Sequence, residues 1–528
     1  MKRPSTNSKL EPLSPREKIA HLFSRLAFGP RPGDVEKVLK SGISVWLDEQ
    51  LQVKASINPD LRERLSEFET IDLSVAGCSE FIAQSRLNAN VTTDEEKKAA
   101  KRLRRLPMGE LIQAVALRAV LSERQASEVM VDFWRNHFNV SFTKGNRIYS
   151  QINDYEREVI RGNVWGDFPN MLRDSATHPA MLNYLDNHLS RSPPSKQELK
   201  EIERRTKRKT GSETQAAEAV TLATQRGLNE NYARELLELH TLGVDNYYSQ
   251  DDVVAVANVL TGWTFDGGRK GSHEYKFDNS MHVEGDFRVL GKRIREDETG
   301  DNGQGRQLLD ILGKHKGTSE FIAMKMVRYL VSDVPAEKLV KSVANVYRKT
   351  DGDFVAMVRE IVGSDAFYSR ANYRNKFKTP YEFIVSALRI TSAEITSLRG
   401  LENYLKDMGQ PIYHCDDPTG YYDVAEAWLD PGVMASRWQF ARDLVGGKIN
   451  GVIVGDAFYH QVPTDASPRL WQHHLTNMIL PGGAGQRTRA ALTTITTEYL
   501  EKKRPPDFYK VAPTLAGLLL GSPEFQQQ

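Results

Sequence analysis

The chain has 528 residues, of which 40% are hydrophobic and 27% are charged, a composition that is ordinary for a soluble globular protein. Lys and Arg total 71 against 69 for Asp and Glu, so no strong overall field favours nucleic acid or an anionic membrane as a partner. Two cysteines are too few for a disulfide framework.

No apolar run is long enough for a membrane span. The first twenty residues also lack the apolar stretch of a secretory signal. The sequence therefore predicts a soluble protein, and a cytoplasmic one for the chain as it stands.

Apolar residues recur at spacings of three and four along most of the chain, which predicts a mainly α protein. Helices are predicted over residues 32–51, 108–139, 151–161, 227–243, 249–262, 318–331, 335–348, 353–364 and 380–394. Runs rich in β-branched and aromatic residues at 275–277 and 287–294 predict a small inserted β-hairpin or a pair of short strands between helices, and residues 451–454 predict one more short strand.

Two charged segments, residues 90–105 and 190–225, are predicted to be flexible insertions. Between Arg191 and Thr210, eight basic residues stand against three acidic ones. Such a run is typical of a solvated helix or a mobile loop, and contact with nucleic acid is the weaker interpretation.

Three units are predicted from these segments. They are an N-terminal helical segment with a flexible basic insertion (1–107), a central helical unit with the inserted hairpin (108–315), and a second helical subdomain (316–528).

The segment GLNENYARELLELHTLG, residues 227–243, has two distinct faces. Asn229 is placed to cap a helix, and Gly243 is placed to end it in a left-handed conformation. At about 100° per residue, one face carries Glu230, Asn231, Arg234, Glu235, Glu238 and Thr241. This face is either a solvated surface, on which Arg234 pairs with its acidic neighbours, or a functional site.

Glu235 and Glu238 are neighbours at three-residue spacing on this face. Such a pair can bind a hard divalent cation or act as general acid and base. The Glu-x-x-His pairs of di-iron bundles are missing, and so are the HExxH, Walker, GxSxG and paired CxxC signatures. Asp186 and Asn187 end a helical segment that begins at Pro179, and they are expected to join the site.

A second two-faced segment covers residues 128–139. Its polar side carries Glu128, Asp132, Arg135, Asn136 and Asn139. His137 in this segment and His240 in the first lie on the apolar sides. A lone histidine on an apolar helix face is predicted to be a hydrogen-bonded core residue rather than a metal ligand.

Several sequence blocks resemble the bacterial family called domain of unknown function 1800. They are FWRNHFNVS (133–141), HPAMLNYLDN (178–187), GLNENYARELLELHTLGV (227–244) and DDVVAVANVLTGWTF (251–265), flanked by HLFSRLAFGPRP (21–32), FIAMKMVRYLVSD (321–333) and the terminal LLLGSPEFQ. The resemblance implies a mostly helical bacterial protein of unassigned activity. His282 matches a His-x-x-Gly pattern of this family, although Arg288 stands where a lysine is more usual.

The resemblance also implies a protein partner. Genes of this family often lie beside those of a family called domain of unknown function 1501, which is similar to sulfatases and alkaline phosphatases and is often exported. Export together with such a partner is therefore the alternative to a cytoplasmic location.

Two functions remain open from the sequence. The first is a non-catalytic binding or assembly partner of a neighbouring hydrolase. The second is an enzyme that acts on an anionic substrate, with a divalent cation as an optional cofactor and Arg234 orienting the substrate. Its catalytic residues are predicted as Glu230, Arg234, Glu235 and Glu238, and its binding residues as Asn187, Asn229, Asn231, Asp186 and His282.

Overall fold

The computed structural model describes residues 11–52, 57–87, 93–225, 227–244, 247–267, 273–296, 303–501 and 507–528. The architecture is mainly α with small two-stranded antiparallel sheets, as the sequence predicts. None of the helices in these ranges combines the length and the apolar character that crossing a membrane requires.

In the described first part of the chain, the regular elements are all helices. The helices are α1 (Pro15–Leu26), α2 (Asp34–Ser41), α3 (Ile43–Gln50), α4 (Pro59–Ser66), α5 (Val75–Leu87), α6 (Asp94–Arg104), α7 (Leu106–Leu121) and α8 (Gln125–His137). The single helix predicted over 32–51 is two helices, because Gly42 at a φ of 93° breaks it. The helix predicted over 108–139 divides into α7 and α8 at Ser122, whose backbone leaves the helical region.

The central part contains two helices that change type along their length. Its elements are α9 (Ile152–Asp154) with a π-helix at Tyr155–Arg161, α10 (Phe168–Thr177), α11 (Pro179–Tyr184), α12 (Lys196–Thr210), α13 (Glu213–Gln225), α14 (Glu230–Glu235) with a π-helix at Leu236–Thr241, and α15 (Gln250–Val259). The regular α-helix predicted over 227–243 therefore holds only as far as Glu235. Beyond it, the Leu242 N–H bonds to the Leu237 carbonyl five residues back at 2.7 Å, which is the π pattern.

Four short strands follow: β1 (Trp263–Phe265), β2 (Tyr275–Phe277), β3 (Phe287–Val289) and β4 (Lys292–Ile294). Of the two alternatives, a hairpin between 275–277 and 287–294 is wrong, because β2 pairs with β1 and β3 pairs with β4. Short strands at both places are confirmed. Leu290 and Gly291 both have positive φ, 51° and 76°, which closes a tight two-residue turn between β3 and β4. The run 287–294 therefore folds back on itself.

The C-terminal part is helical apart from one strand pair. Its elements are α16 (Gly303–Gly313), α17 (Lys316–Leu330), α18 (Glu337–Lys349), α19 (Phe354–Val362), α20 (Pro380–Ile390), β5 (Glu394–Ile395), α21 (Arg399–Asp407), α22 (Pro431–Val445), β6 (Val452–Ile453), α23 (Asp456–Tyr459), α24 (Pro468–Ile479), α25 (Gln486–Leu500), α26 (Phe508–Leu520) and α27 (Pro523–Gln526). Strand β6 lies in the strand predicted over 451–454, and it pairs antiparallel with β5.

Buried apolar side chains from Ile19 to Phe525 form one continuous core. Helix α20 is buried along its whole length. Its Arg389 donates hydrogen bonds to the carbonyls of Gly29 at 2.9 Å and Val120 at 2.8 Å, so it ties the N-terminal helices to the C-terminal part. The division into three units stays a prediction.

Helices α12 and α13 pack against each other as a helical hairpin, which we call the arm. No side chain of α12 is buried. The two ends of the arm meet, because the Arg191 N–H donates to the Gly227 carbonyl at 3.3 Å and the Asn229 N–H donates to Ser190 Oγ at 3.1 Å. The basic run at the start of the second insertion is therefore a solvated helix, one of the two interpretations that the sequence allows.

Candidate functional site

The polar face predicted for residues 227–243 is crossed by a chain of hydrogen bonds. Gln250 Nε2 donates to Glu230 Oε2 at 2.9 Å, and Arg234 Nη2 donates to Gln250 Oε1 at 2.7 Å. Arg234 Nη1 lies 3.4 Å from Glu238 Oε1, and the Tyr248 hydroxyl donates to the same oxygen at 2.7 Å. The Arg234 side chain keeps 40% of its surface exposed, so the face is open to solvent on this side.

Glu235 lies half-buried on the same face. Burial raises the pKa of its carboxyl, the nearby carboxylates of Glu238 and Asp417 raise it further, and Arg234 opposes them. A carboxyl group with a raised pKa holds and releases a proton closer to neutral pH. Glu235 is thus the residue of this face that is best suited to proton transfer.

Two of the predicted binding residues, Asp186 and Asn231, line the same open cleft. Lys144, Tyr184 and Asp416 also line it, and its volume is about 370 Å³. Lys144 Nζ lies 2.6 Å from Asp186 Oδ2, so the cleft is lined by a basic and an acidic side chain that pair with each other. The cleft is large enough for a small polar ligand.

Asn229 and Asn187 hold backbone in place. Asn229 caps α14 as predicted, since its Oδ1 accepts from the Tyr232 N–H at 3.0 Å. Its Nδ2 donates to the Leu185 carbonyl at 2.7 Å, and the fully buried Asn187 donates through Nδ2 to the Leu260 carbonyl at 3.1 Å. These amides join the end of α11 to α14 and α15.

His282 lies against the C-terminal end of α15. Its Nδ1 is 2.9 Å from the Thr261 carbonyl oxygen, and its Nε2 is 2.8 Å from Gln304 Oε1. The structure therefore brings His282 and Asn187 together around residues 260 and 261. Both ring nitrogens of His282 contact polar atoms of the protein.

His137 and His240 are buried core residues, as predicted. His137 Nε2 lies 3.2 Å from the His240 carbonyl oxygen, and its Nδ1 lies 2.9 Å from Lys325 Nζ. A neutral ring satisfies both contacts, donating at Nε2 and accepting at Nδ1. Burial lowers the pKa of His137 far below its usual value and that of His240 to about 3. Within the described ranges, no three His, Cys, Asp or Glu side chains are grouped to hold a metal ion.

A second site, which the sequence analysis does not assign, lies on the polar side of α8. Its lining includes Asp132, Arg135, Asn136 and Asn139 from α8, together with Asp423 and the tyrosines at 329, 381, 413, 421 and 422. We call it the tyrosine pocket. Asn136 holds one wall in place, because its side chain accepts from the Tyr421 N–H at 2.7 Å and donates to the Tyr421 carbonyl at 2.8 Å.

Arg135 is the central cation of the tyrosine pocket. Its guanidinium lies over the rings of Tyr381 and Tyr413, 5.6 Å from each centroid, and forms an ion pair with Asp132. The Tyr329 hydroxyl donates to Asp132 Oδ2 at 3.1 Å. Burial raises the pKa of Asp132 even though Arg135 opposes the shift.

Asp423 is the second carboxylate of this pocket. It lies 3.0 Å from the buried Lys376 Nζ. Burial raises its pKa to about 7, although Lys376 lowers it. The pocket thus contains an acidic group that titrates near neutral pH.

A network of buried charged side chains contacts residues of the tyrosine pocket. Glu156 accepts a hydrogen bond from Arg161 Nε at 2.9 Å and another from the Tyr413 hydroxyl. Arg135 Nη1 lies 3.9 Å from the same carboxylate, and Arg161 Nη1 pairs with Glu128 at 3.0 Å. The network helps to hold the guanidinium of Arg135 in place.

A family model described as "Protein of unknown function (DUF1800)" matches residues 21–527. The chain belongs to this family. No curated protein and no solved structure matches the chain. The resemblance that the sequence blocks carry is therefore confirmed across nearly the whole sequence.

The match to the DUF1800 family begins within α1 and ends just after α27. The polar face of residues 227–243, which we call the Glu235 face, therefore lies inside the family's region. The arm and the tyrosine pocket lie inside it as well. The family description names no activity, so these three features are the basis for a functional assignment.

Proposed function

We propose that this DUF1800 protein is a binding or assembly partner of a sulfatase- or phosphatase-like hydrolase, the neighbour that the family resemblance implies. The arm would make the contact. The observation that supports this proposal is the burial pattern, since α12 buries none of its side chains and Ala216 is the buried apolar residue of α13 in the described part. Helices with so little packing on a body gain stability when a partner covers them.

The composition of the arm indicates the chemistry of the surface it would contact. Helix α12 carries seven basic and three acidic side chains, and Leu222 of α13 is 56% exposed. A basic helix speeds association with an acidic surface and fixes its orientation, while an exposed leucine adds apolar contact. We therefore expect an acidic patch on the hydrolase.

Removing residues 192–226 and closing the gap with a short Gly-Ser linker is expected to abolish binding of the hydrolase while the body stays folded. The ends of the arm are already hydrogen-bonded to each other, so the linker has little distance to span. The measurement is co-purification with the domain of unknown function 1501 neighbour, together with thermal unfolding of both proteins. Undiminished binding by the armless protein would contradict the proposal.

A charge-reversal variant tests whether binding depends on the charge of the arm, with both helices still present. Changing Arg204, Arg205 and Arg208 to Glu keeps good helix formers in α12 and is expected to weaken binding at low salt by about tenfold or more. The matched control reverses three charges of α6, those of Lys98, Lys101 and Arg102, on another basic helix with no buried side chain. An equal loss of affinity in the control would point to net charge rather than to the arm.

A second candidate function is acid/base catalysis on the Glu235 face, which the raised pKa of Glu235 favours. Glu235 would exchange the proton, and Arg234 would orient an anionic substrate whose remainder lies in the cleft of Asp186 and Asn231. Glu238 would raise the proton affinity of Glu235. In the alternative form of this candidate, the two carboxylates would bind a divalent cation instead of handling a proton.

Glu238→Gln is expected to lower the pKa of Glu235, because it removes the neighbouring negative charge that helps to raise it. The measurement is a carbon NMR titration of labelled glutamate side chains, with the Glu235 signal assigned from Glu235→Gln. Glu230→Gln serves as the control on the same face. A Glu235 carboxyl that titrates at or below the usual value of 4.5 would remove the basis of this candidate.

A further inference from the structure

A third cavity lies between α20 and the C-terminal helices, apart from the arm and the Glu235 face. Its volume is about 60 Å³, and its lining includes Tyr373, Lys378, Ser386, Glu524 and Phe525. Cavities of this size hold a few water-sized groups. A ligand that fits inside this cavity would therefore be a small molecule.

Backbone pairing fixes the segment that carries Lys378. The Lys378 N–H donates to the Gln526 carbonyl at 2.9 Å, and the Gln528 N–H donates to the Lys376 carbonyl at 2.8 Å. The Lys378 carbonyl in turn accepts from Arg437 Nη2 at 2.7 Å. The position of Lys378 in the cavity wall is thus held from two sides.

The amine of Lys378 has an unusual set of neighbours. Its side chain is buried, its Nζ donates to Ser386 Oγ at 3.1 Å, and it lies 4.0 Å from the centroid of the Phe525 ring. Lys376, two residues earlier, is also buried but is paired with Asp333 at 2.7 Å and Asp423 at 3.0 Å. In the described structure, no such ion pair is made by Lys378.

The charged groups around Lys378 do not compensate for its burial. Burial lowers its pKa, Glu382 opposes this shift, and Arg374 and Arg437 add to it, so that the pKa lies at about 7. Glu524 lines the cavity, but its carboxylate accepts from the Gly485 N–H and from Thr488 Oγ1, each at 2.7 Å. A substantial fraction of the amine is therefore neutral at pH 7, with its lone pair available.

Tyr373 supplies a second group to the same cavity. Its hydroxyl is buried and has no hydrogen-bond partner among the described residues. Gly482 lies directly opposite, and a Cβ there would come within 1.9 Å of that hydroxyl. The cavity thus combines an amine without an acidic partner and a buried donor that is free to bond to an oxygen.

We propose that Lys378 is a nucleophilic amine that forms a Schiff base with a small aldehyde or ketone bound in this cavity. The Nζ lone pair attacks the carbonyl carbon, and a proton from nitrogen passes to the carbonyl oxygen to give a carbinolamine. The remaining proton on nitrogen then passes to the hydroxyl group, the C–O bond breaks, water leaves, and the C=N bond forms. The step consumes no oxidant or reductant, and Tyr373, which lines the same cavity, would donate through its hydroxyl to the carbonyl oxygen.

The test is reductive trapping with acetaldehyde and cyanoborohydride on the full-length protein, followed by peptide mass mapping. Lys378 is expected to react at least about tenfold faster than Lys376 and the surface lysines at pH 7, because more of it is neutral. Phe377 lies between the two buried lysines, so chymotryptic cleavage distinguishes them. Equal labelling of lysines throughout the chain would overturn the proposal.

The pH dependence of trapping supplies a second, independent readout. The rate at Lys378 is expected to level off above pH about 7, near its lowered pKa, whereas the rate at ordinary lysines keeps rising towards their pKa of about 10.4. Lys378→Met should remove the adduct. If that variant does not fold, the pH profile of the unaltered protein decides alone, and a Lys378 rate that rises like that of a surface lysine contradicts the proposal.

Discussion

Replacing Glu156 with alanine is expected to lower the free energy of unfolding by about 3–5 kcal/mol, because removing one member of a buried ion network leaves its partners uncompensated. Glu156 is 2% exposed. Without its carboxylate, Arg161 keeps Glu128, but Arg135 loses a neighbouring charge and the Tyr413 hydroxyl loses its acceptor.

The measurement is denaturant unfolding of the variant beside Glu158→Ala. Glu158 lies on the same π-helix and pairs with Arg157 at 2.7 Å, but its side chain is 62% exposed. A surface pair of this kind contributes about 0–1 kcal/mol. Similar losses for the two variants would show that the network does not stabilise the fold. A large loss for Glu156 alone, with weakened order in the tyrosine pocket, would confirm its role.

Acidification below pH 6.5 is expected to destabilise the protein steeply through its buried histidines. Burial lowers the pKa of both His21 and His240 to about 3. Between the unfolded value of 6.5 and the folded value of about 3, the unfolded chain binds protons that the folded chain does not. Stability therefore falls as pH falls through this window, by roughly 1.4 kcal/mol per pH unit for each histidine.

Unfolding free energies at pH 7, 6 and 5 check this expectation. His21 lies among the rings of Phe367, Tyr368 and Tyr373, and a hydrogen bond to the backbone of Phe367 offsets only part of the effect of burial on its pKa. His21→Phe is therefore expected to fold and to reduce the slope of the unfolding free energy against pH by the contribution of one histidine. The control replaces the exposed His473 by Gln and is expected to leave this slope unchanged. Identical slopes in all three proteins would contradict the role given to His21.

The local features of the fold could be predicted from sequence. Asn229 caps α14 and Gly243 follows the π-helix at a φ of 86°, because both depend on residues within a few positions. The change to a π-helix after Glu235 could not be predicted from the spacing of apolar residues. This change depends on a backbone hydrogen bond from the Leu242 N–H to the carbonyl five residues earlier. The Thr241 hydroxyl donates a further hydrogen bond to the Leu236 carbonyl at 2.7 Å.

The tyrosine pocket was harder to predict than the Glu235 face for a similar reason. The sequence did place Asp132, Arg135, Asn136 and Asn139 on one side of a helix, which is the wall that α8 contributes. The opposite walls come from residues 329–423, and only long-range packing brings them to α8. The Glu235 face lies on a single helix, so its composition could be identified without any knowledge of the fold.

The turn of the arm offers a position for site-specific labelling. The two native thiols, Cys78 and Cys415, are both buried, and burial raises the pKa of Cys78 to about 12, which makes this thiol unreactive. A cysteine introduced at the exposed Lys209, near the tip, would therefore take a fluorophore without removal of the native thiols. Polarisation of that dye would report directly whether the projecting helices tumble freely or become immobilised in a larger assembly.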